Sequence, residues 1–209
     1  MNEVEKLKNG MIYDPMDPTV FKLRRKAHVL STKYNLLDES KSKKRKKILD
    51  QLLPNKKEGV YLQGPIYFDY GFNTTIGENF FANFNLTVLD CAQVVIGDNV
   101  FVGPNVSIVP PIHPFLPNER NLYTNENGIL TDKEYAKPIK IGDNCWLASN
   151  VTVCGGVTIG SGCVIGAGSV VTKDIPAGVL AVGNPCRVIR KITEKDSIYL
   201  KKELFDEGE

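Results

Sequence analysis

The sequence predicts a mainly β protein: a solenoid of parallel coils built from six-residue repeats, with a helical N-terminal region and a long loop protruding from the coils. An aliphatic residue recurs at every sixth position from Ile141 through Leu147, Val153, Ile159 and Ile165 to Val171. Gly, Asn and Asp crowd the positions between them, where a turn needs positive φ or a local side-chain bond. The first sixty residues lack this period and hold most of the lysines. Six is the period of neither a helix nor a strand. It fits one short strand plus one tight turn, with three such units closing a triangular coil.

Residues 1–60 form the N-terminal region. Asp17 can cap a helix that carries Pro18 in its first turn and runs to Tyr34, with Val20, Leu23, Ala27 and Leu30 on one apolar stripe. A second helix is expected after Ser40, ending at Leu53 before Pro54. Its KSKKRKK run (41–47) reads as a solvated face, because neighbouring acidic residues nearly balance the charge. His28 lies on the first of these helices and reads as a surface or packing residue.

The coil region is assigned to residues 61–190, with the repeat visible from about Pro65. Ile76, Ala82, Val88 and Val94 share one register; Ile96, Val102 and Ile108 share a second, shifted by two; the run from Ile141 makes a third. Four positions after each opening aliphatic a small residue also points inward, among them Val100, Val106, Cys145, Val151, Val157, Cys163 and Ser169. Cys145 and Cys163 fall one coil apart and read as apolar filler, since a metal would need further ligands nearby. Residues 191–209 form a C-terminal tail. Between Ile108 and Ile139 the repeat lapses, and a stretch that long without repeat marks a functional loop, placed at 110–138. His113 stands at its base.

At 209 residues and 42% hydrophobic content the chain can build one large soluble domain. A net charge of +2 gives no reason to expect a nucleic-acid partner. The polar N-terminus and the lack of a long apolar run point away from a signal peptide or a membrane span. Five cysteines without CxxC spacing suit a reducing, cytoplasmic setting.

YFDYG at 67–71, FFANFNLTVLD at 80–90, IHP at 112–114 and GAGSVVTKDIP followed by GNPCRVIRKI closely resemble the maltose and galactoside O-acetyltransferases, which are hexapeptide-repeat acyltransferases. The resemblance covers nearly the whole chain. It implies a left-handed parallel β-helix with a helical N-terminal cap, a homotrimer, and acetyl-CoA bound in clefts between subunits, with no metal required. His113 is then the general base that takes the proton from an attacking hydroxyl, and imidazole suits this because it titrates near neutrality. Asn83 is implied as an oxyanion donor together with the backbone amide of Ser149; read from the residues alone, Asn83 fits a plain turn equally well. Asp14, Asp69, Asn83 and Asp90 are implied on the acceptor side. Ser149, Ala167, Thr172, Lys173, Arg187 and Arg190 are implied on the coenzyme side. Trp146 either covers the cleft or packs against a neighbour.

Asp69, and Cys91 in place of a second Asp, favour a maltose- or glucose-like acceptor acetylated at a primary hydroxyl. The loop after His113 is longer than the galactoside enzymes carry, and its end, EYAKP, matches the maltose type. Another hydroxyl acceptor, such as a galactoside, an antibiotic or a nucleotide-linked sugar, remains as an alternative. A zinc carbonic anhydrase on the same fold would need three His ligands, and this chain has two His in all. A non-catalytic β-helix scaffold would not need His113, Asn83 and the basic C-terminal cluster together.

Overall fold

A computed structural model describes residues 1–205; the last four residues of the tail segment 191–209 lie outside the described residues. The coil region is a parallel β-helix with three faces. One face runs from Asn55–Lys56 through Thr74–Ile76, Val94–Ile96 and Ile139–Ile141 to Thr158–Ile159. The second runs from Tyr61–Leu62 through Phe81–Ala82, Phe101–Val102, Trp146–Leu147 and Val164–Ile165 to Val179–Val182. The third joins Ile66–Phe68, Leu86–Val88, Ser107–Val109, Thr152–Cys154 and Val170–Val171. The first coil strand therefore lies before the point where the repeat becomes visible in the sequence.

The sixfold aliphatics form three inward columns: Ile76–Ile96–Ile141–Ile159, Ala82–Val102–Leu147–Ile165–Ala181, and Phe68–Val88–Ile108–Val153–Val171. All of them are buried. Each coil strand is only two to four residues long, so its stability comes from the coils above and below. The left-handed backbone position of the turns is taken by Asn79, Asn85, Asn99, Asn105, Asn144 and Asn150, with φ between 54° and 61°. Asn tolerates that conformation, and its side chain also bonds the next coil, as Asn85 does to Asn105 at 2.9 Å.

The register shift of two has a structural cause. Twenty residues separate Ile76 from its partner Ile96, but eighteen separate Ile141 from Ile159. The extra residues widen the corner at Asp90–Gln93, which Asp90 holds closed. Cys145 and Cys163 are buried inside the coils, and burial pushes the Cys145 thiol up to about 11, as expected of inert filler.

Both ends of the coil stack are covered. Three helices lie at the N-terminal end: α1 (Glu3–Lys8), α2 (Pro18–Asn35) and α3 (Ser42–Leu52). Asp17 caps α2, accepting from the amides of Thr19 and Val20 at 2.9 and 3.1 Å. The expectation for KSKKRKK fails at one position. Arg45 is buried, donating 2.6 Å hydrogen bonds to the carbonyls of Leu62 and Gln63 and a 2.8 Å bond to the Tyr34 hydroxyl. It pins α3 and α2 to the first coil, while its neighbours Lys43 and Lys44 stay exposed. At the other end, Arg187–Lys191 returns antiparallel along Val179–Val182 and closes that face. No helix among the described residues is long and apolar enough to cross a membrane.

Candidate active site

The repeat-free stretch is an ordered arm. Pro111–Ile112 pairs antiparallel with Tyr135–Ala136 at its base, and Tyr123–Thr124 pairs with Leu130–Thr131 towards its tip. The N-terminal segment grips it. Tyr13 bridges to Glu134 through backbone, and its hydroxyl donates to the Glu134 carboxylate at 2.5 Å. Leu7, Tyr13, Val20, Tyr70, Cys91, Ala92 and Ala136 form a separate buried cluster that ties helices, coils and arm together.

His113 follows the base strand of this arm, half-exposed. Its Nδ1 lies 3.3 Å from the Asp132 carboxylate. The ligand atoms of His113, Asp132 and Glu134 all lie within 4.8 Å of one another. They are metal-type donors, but two carboxylates beside an imidazole need no ion to act. The Asp132 carboxylate is a charge contact of Nδ1, and a negative charge there can stabilise an imidazolium formed when Nε2 takes a proton. Sequence reasoning missed Asp132 and Glu134 as site residues. Their spacing of two in TDKEYAKP, which puts both on one face of an extended chain, was the available signal.

The four acceptor-side residues fare differently. Asp69 is partly exposed, 3.2 Å from His28 Nε2; His28 is the surface residue expected and also pairs with Asp69. Burial pushes the Cys91 thiol and the Tyr70 hydroxyl up, and the carboxylates of both Glu134 and Asp69 add to each shift. Cys91 and Tyr70 pack in the same buried cluster as Tyr13 and Ala136 at the base of the arm. The Asp14 carboxylate is occupied by the arm: it accepts from Thr131 Oγ1 at 2.6 Å, Asn125 Nδ2 at 2.8 Å and the Met16 amide at 2.9 Å. Burial raises the Asp14 carboxyl, but these three bonds together pull it below the usual carboxylate range.

Asp90 corrects the expectation outright. It is fully buried, and its carboxylate accepts from the amides of Tyr70 and Gly71 at 2.8 and 3.1 Å and from Thr74 Oγ1 at 2.9 Å. A carboxylate so enclosed is a clasp for the wide coil corner, out of reach of a sugar. Burial raises it to about 6 against the pull of those bonds.

The remaining residues line two different edges of the prism. Asn83, Gly103, Ser149 and Ala167 follow one another along the edge after the aromatic-bearing second face. Asn83 bonds back to the Val102 carbonyl, Gly103 to that of Leu147, and Gly168 to that of Ser149. A Cβ on Gly103 would sit 2.7 Å from the Ser149 amide nitrogen, so the coils stack this closely only with glycine there. Asn83 accepts the Phe84 amide with its oxygen at 2.7 Å, leaving its NH₂ directed elsewhere. His113, Asp69, Thr172 and Lys173 follow the opposite ends of the third-face strands. Those three-residue strands separate the two edges by roughly 10 Å at about 3.3 Å per residue. Asn83 and Ser149 therefore lie on a different edge of the coil from the one that leads to His113.

Arg187 is exposed beside this second edge, since the Cys186 amide bonds the Val170 carbonyl at 2.8 Å. Arg190 is less free than expected: Asp196 takes it bidentately at 2.6 and 2.8 Å, and with the Thr193 amide this holds the Asp196 carboxyl down to about 2. On the second face Tyr61, Phe81, Phe101 and Trp146 pair in successive coils into an outward aromatic row, with Trp146 52% exposed.

Comparison with known proteins agrees with this architecture. Residues 6–57 match the maltose acetyltransferase hexapeptide capping motif, and residues 138–173 match the bacterial transferase hexapeptide (six repeats). The galactoside O-acetyltransferase of Escherichia coli (strain K12) is 40% identical over 203 residues, covering 97% of this chain and 96% of that protein. A solved galactoside acetyltransferase in complex with coenzyme A superposes with a TM-score of 0.85 at 40% identity, covering 94% of each chain. A maltose O-acetyltransferase from Clostridium difficile 630 superposes with a TM-score of 0.78 at 43% identity, covering 93% of this chain and 99% of that one. With the capping motif and the hexapeptide repeats matched and relatives of 40–43% identity spanning nearly its whole length, this chain belongs to the maltose and galactoside O-acetyltransferase family of hexapeptide-repeat enzymes.

Proposed function

We propose that the protein transfers the acetyl group of acetyl-CoA to a primary hydroxyl of a glucosyl or maltosyl unit, with His113 as general base, in a cleft between two subunits of a homotrimer. The observation that carries this is the imidazole of His113 held by Asp132 Nδ1-side, with Nε2 free at the root of the arm. The acceptor oxygen attacks the thioester carbonyl while Nε2 takes its proton. The tetrahedral oxyanion collapses, the C–S bond breaks, and the departing thiolate receives that proton from the imidazolium. No enzyme-bound acyl group is needed.

Asn83 and the Ser149 amide are the oxyanion donors in this reading. Each well-placed donor is worth about 3–4 kcal/mol in the transition state. The separation of their edge from His113 supports a site completed by a neighbouring subunit, as does the exposed aromatic row with Trp146. Ala167 lets the pantetheine chain approach the backbone. Thr172, Lys173 and Arg187 meet the phosphates, and Arg190 joins them only by exchanging Asp196. Asp69 accepts from a sugar hydroxyl.

Lys173→Ala and Arg187→Ala are expected to raise KM for acetyl-CoA more than they lower kcat, because phosphate contacts are alike in ground and transition states. Steady-state kinetics with acetyl-CoA and with a short acetyl thioester check this; equal losses on both donors would remove the two residues from phosphate binding. The reaction itself is tested by release of free thiol across glucose, maltose, a β-galactoside, a 6-deoxy sugar and chloramphenicol. Glucose and maltose are expected to lead. A 6-deoxy sugar or chloramphenicol outperforming every ordinary hexose would overturn the primary-hydroxyl acceptor.

A further inference from the structure

A cavity of about 340 Å³ opens where α3 meets the first coil. That volume is at the lower end of the roughly 300–1,000 Å³ typical of small-molecule sites. None of its lining residues belongs to the arm or to the residues assigned to acceptor and coenzyme. Leu49, Val60, Leu62 and the Tyr61 ring supply apolar walls, and Arg45 stands among them.

Arg45 is only 5% exposed, and a guanidinium keeps its charge throughout the working pH range. Its Nη2 alone makes the bonds to Leu62, Gln63 and Tyr34. Nε and Nη1 have no hydrogen-bond partner among the described residues, and no carboxylate there forms an ion pair with the group. The sealed side-chain atoms without a partner among those residues are the hydroxyls of Ser31 and Tyr70. Neither nitrogen is one of them, so both reach open space. The Tyr34 ring, 4.4 Å from the guanidinium carbon, and the two carbonyls offset part of the cost of burying this charge. A buried cation with spare donors and no counter-charge remains costly, and an anion in the cavity that it lines relieves that cost.

The rest of the lining agrees in sign. Lys43, Lys46, Lys56 and Lys57 stand around the cavity. Asp50 takes Lys56 at 2.6 Å and Asp98 takes Lys57 at 3.3 Å, but Lys43 makes no ion pair among the described residues. Two carboxylates also line the cavity, Glu39 and Glu58. Glu39 accepts from Gln63 Nε2, and the Glu58 side chain is 90% exposed, 3.9 Å from Lys46. Positive charge is therefore in excess, while the apolar walls disfavour a fully hydrated inorganic ion. We propose that this cavity binds a small organic carboxylate. Its oxygens meet Arg45 at Nε or Nη1 and the charge of Lys43, and its apolar body packs on Leu49, Val60 and Leu62. Such an occupant touches both α3 and the first coil, so it clamps the helical cap onto the coils. The site is independent of the acetyl-transfer reaction.

The test is isothermal titration calorimetry of the full-length protein with benzoate, accompanied by thermal denaturation. Benzoate is expected to bind once per chain and to raise Tm, since a ligand held only by the folded state stabilises it. Benzyl alcohol has the shape without the charge, and inorganic phosphate the charge without the apolar body. Each is expected to bind at least about tenfold more weakly than benzoate. No benzoate binding, or either control equalling benzoate, overturns the proposal. So does displacement of benzoate by saturating coenzyme A, which puts it in the coenzyme cleft instead. Arg45→Lys is expected to weaken benzoate binding by about tenfold or more, because an ammonium cannot reproduce the guanidinium's donors. Arg45 also pins α3, so Lys43→Glu is measured beside it. Lys43 is exposed, and reversing its charge should leave the ligand-free Tm near wild type while weakening benzoate about fivefold. Unchanged benzoate affinity in Lys43→Glu overturns the site even where Arg45→Lys fails to fold.

Discussion

His113→Ala is expected to lower kcat by at least about a hundredfold, within the 10²–10⁴ range of a positioned general base, while leaving affinity for acetyl-CoA nearly intact. The side chain is 47% exposed and makes no structural bond beyond Asp132, so the fold should survive its removal. Asp132→Asn is expected to cost less. An amide can still sit beside Nδ1, but it stabilises the imidazolium poorly, so kcat should fall while affinity for acetyl-CoA is kept. Single-turnover kinetics and coenzyme titration separate chemistry from binding. A His113→Ala enzyme that keeps most of its kcat would end the general-base assignment and leave the arm with a purely structural role.

Asp90→Ala is expected to destabilise the fold by about 3–5 kcal/mol, as a loss of bonds to two buried amides and a hydroxyl dictates. The maltose-to-glucose preference of whatever folds should stay unchanged. Asp90→Asn is the companion variant. Its oxygen can still accept from the Tyr70 and Gly71 amides, and its NH₂ can donate to Thr74, so stability should be close to wild type below about pH 4, where Asp90 is protonated too.

The pair also tests the ionisation of Asp90. Its folded-state value of about 6 lies above the ordinary 3.8, so the folded protein holds the proton more tightly than the unfolded chain. That contribution is fully present below about pH 4 and is lost as pH rises through about 6, and a shift of two units is worth about 3 kcal/mol. Other carboxylates titrate in the same window. The quantity to follow is therefore the stability of wild type minus that of Asp90→Asn, from denaturant unfolding between pH 4 and 8. This difference should fall across the window; a difference that rises with pH would mean that the hydrogen bonds outweigh burial.

Much of this architecture was legible before any coordinates, because it is periodic. Successive units of six meet the same inward environment, so the columns through Ile76, Ala82 and Val88 could be read largely from spacing, whereas Phe68 stands off the period. The helix Pro18–Asn35 was legible through its local cap at Asp17 and its stripe. His113 stood out because it sits where the period lapses. Contacts without a period left no such trace. Which of the KSKKRKK charges turns inward depends on the carbonyls of Leu62 and Gln63, seventeen and eighteen residues away. Helix Glu3–Lys8 is too short to show a stripe, and only packing of Leu7 against the arm gives it a place.

Asp90 shows the limit most plainly. An Asp in a turn-rich stretch reads as exposed, and its burial is decided by donors from the preceding coil. The grip of Tyr13 on Glu134 joins residues 121 apart, and the Asp132–His113 pair exists only because the arm folds back on its own base. The sequence alone determined the coil and its columns and singled out His113 as the candidate imidazole, since these depend on local repetition and on a single distinctive residue. The tertiary structure decided which carboxylates lie beside that imidazole, which carboxylate is sealed inside a corner, and that Asn83 and Ser149 lie on a different edge, because distant segments must compete for the same few hydrogen-bonding groups.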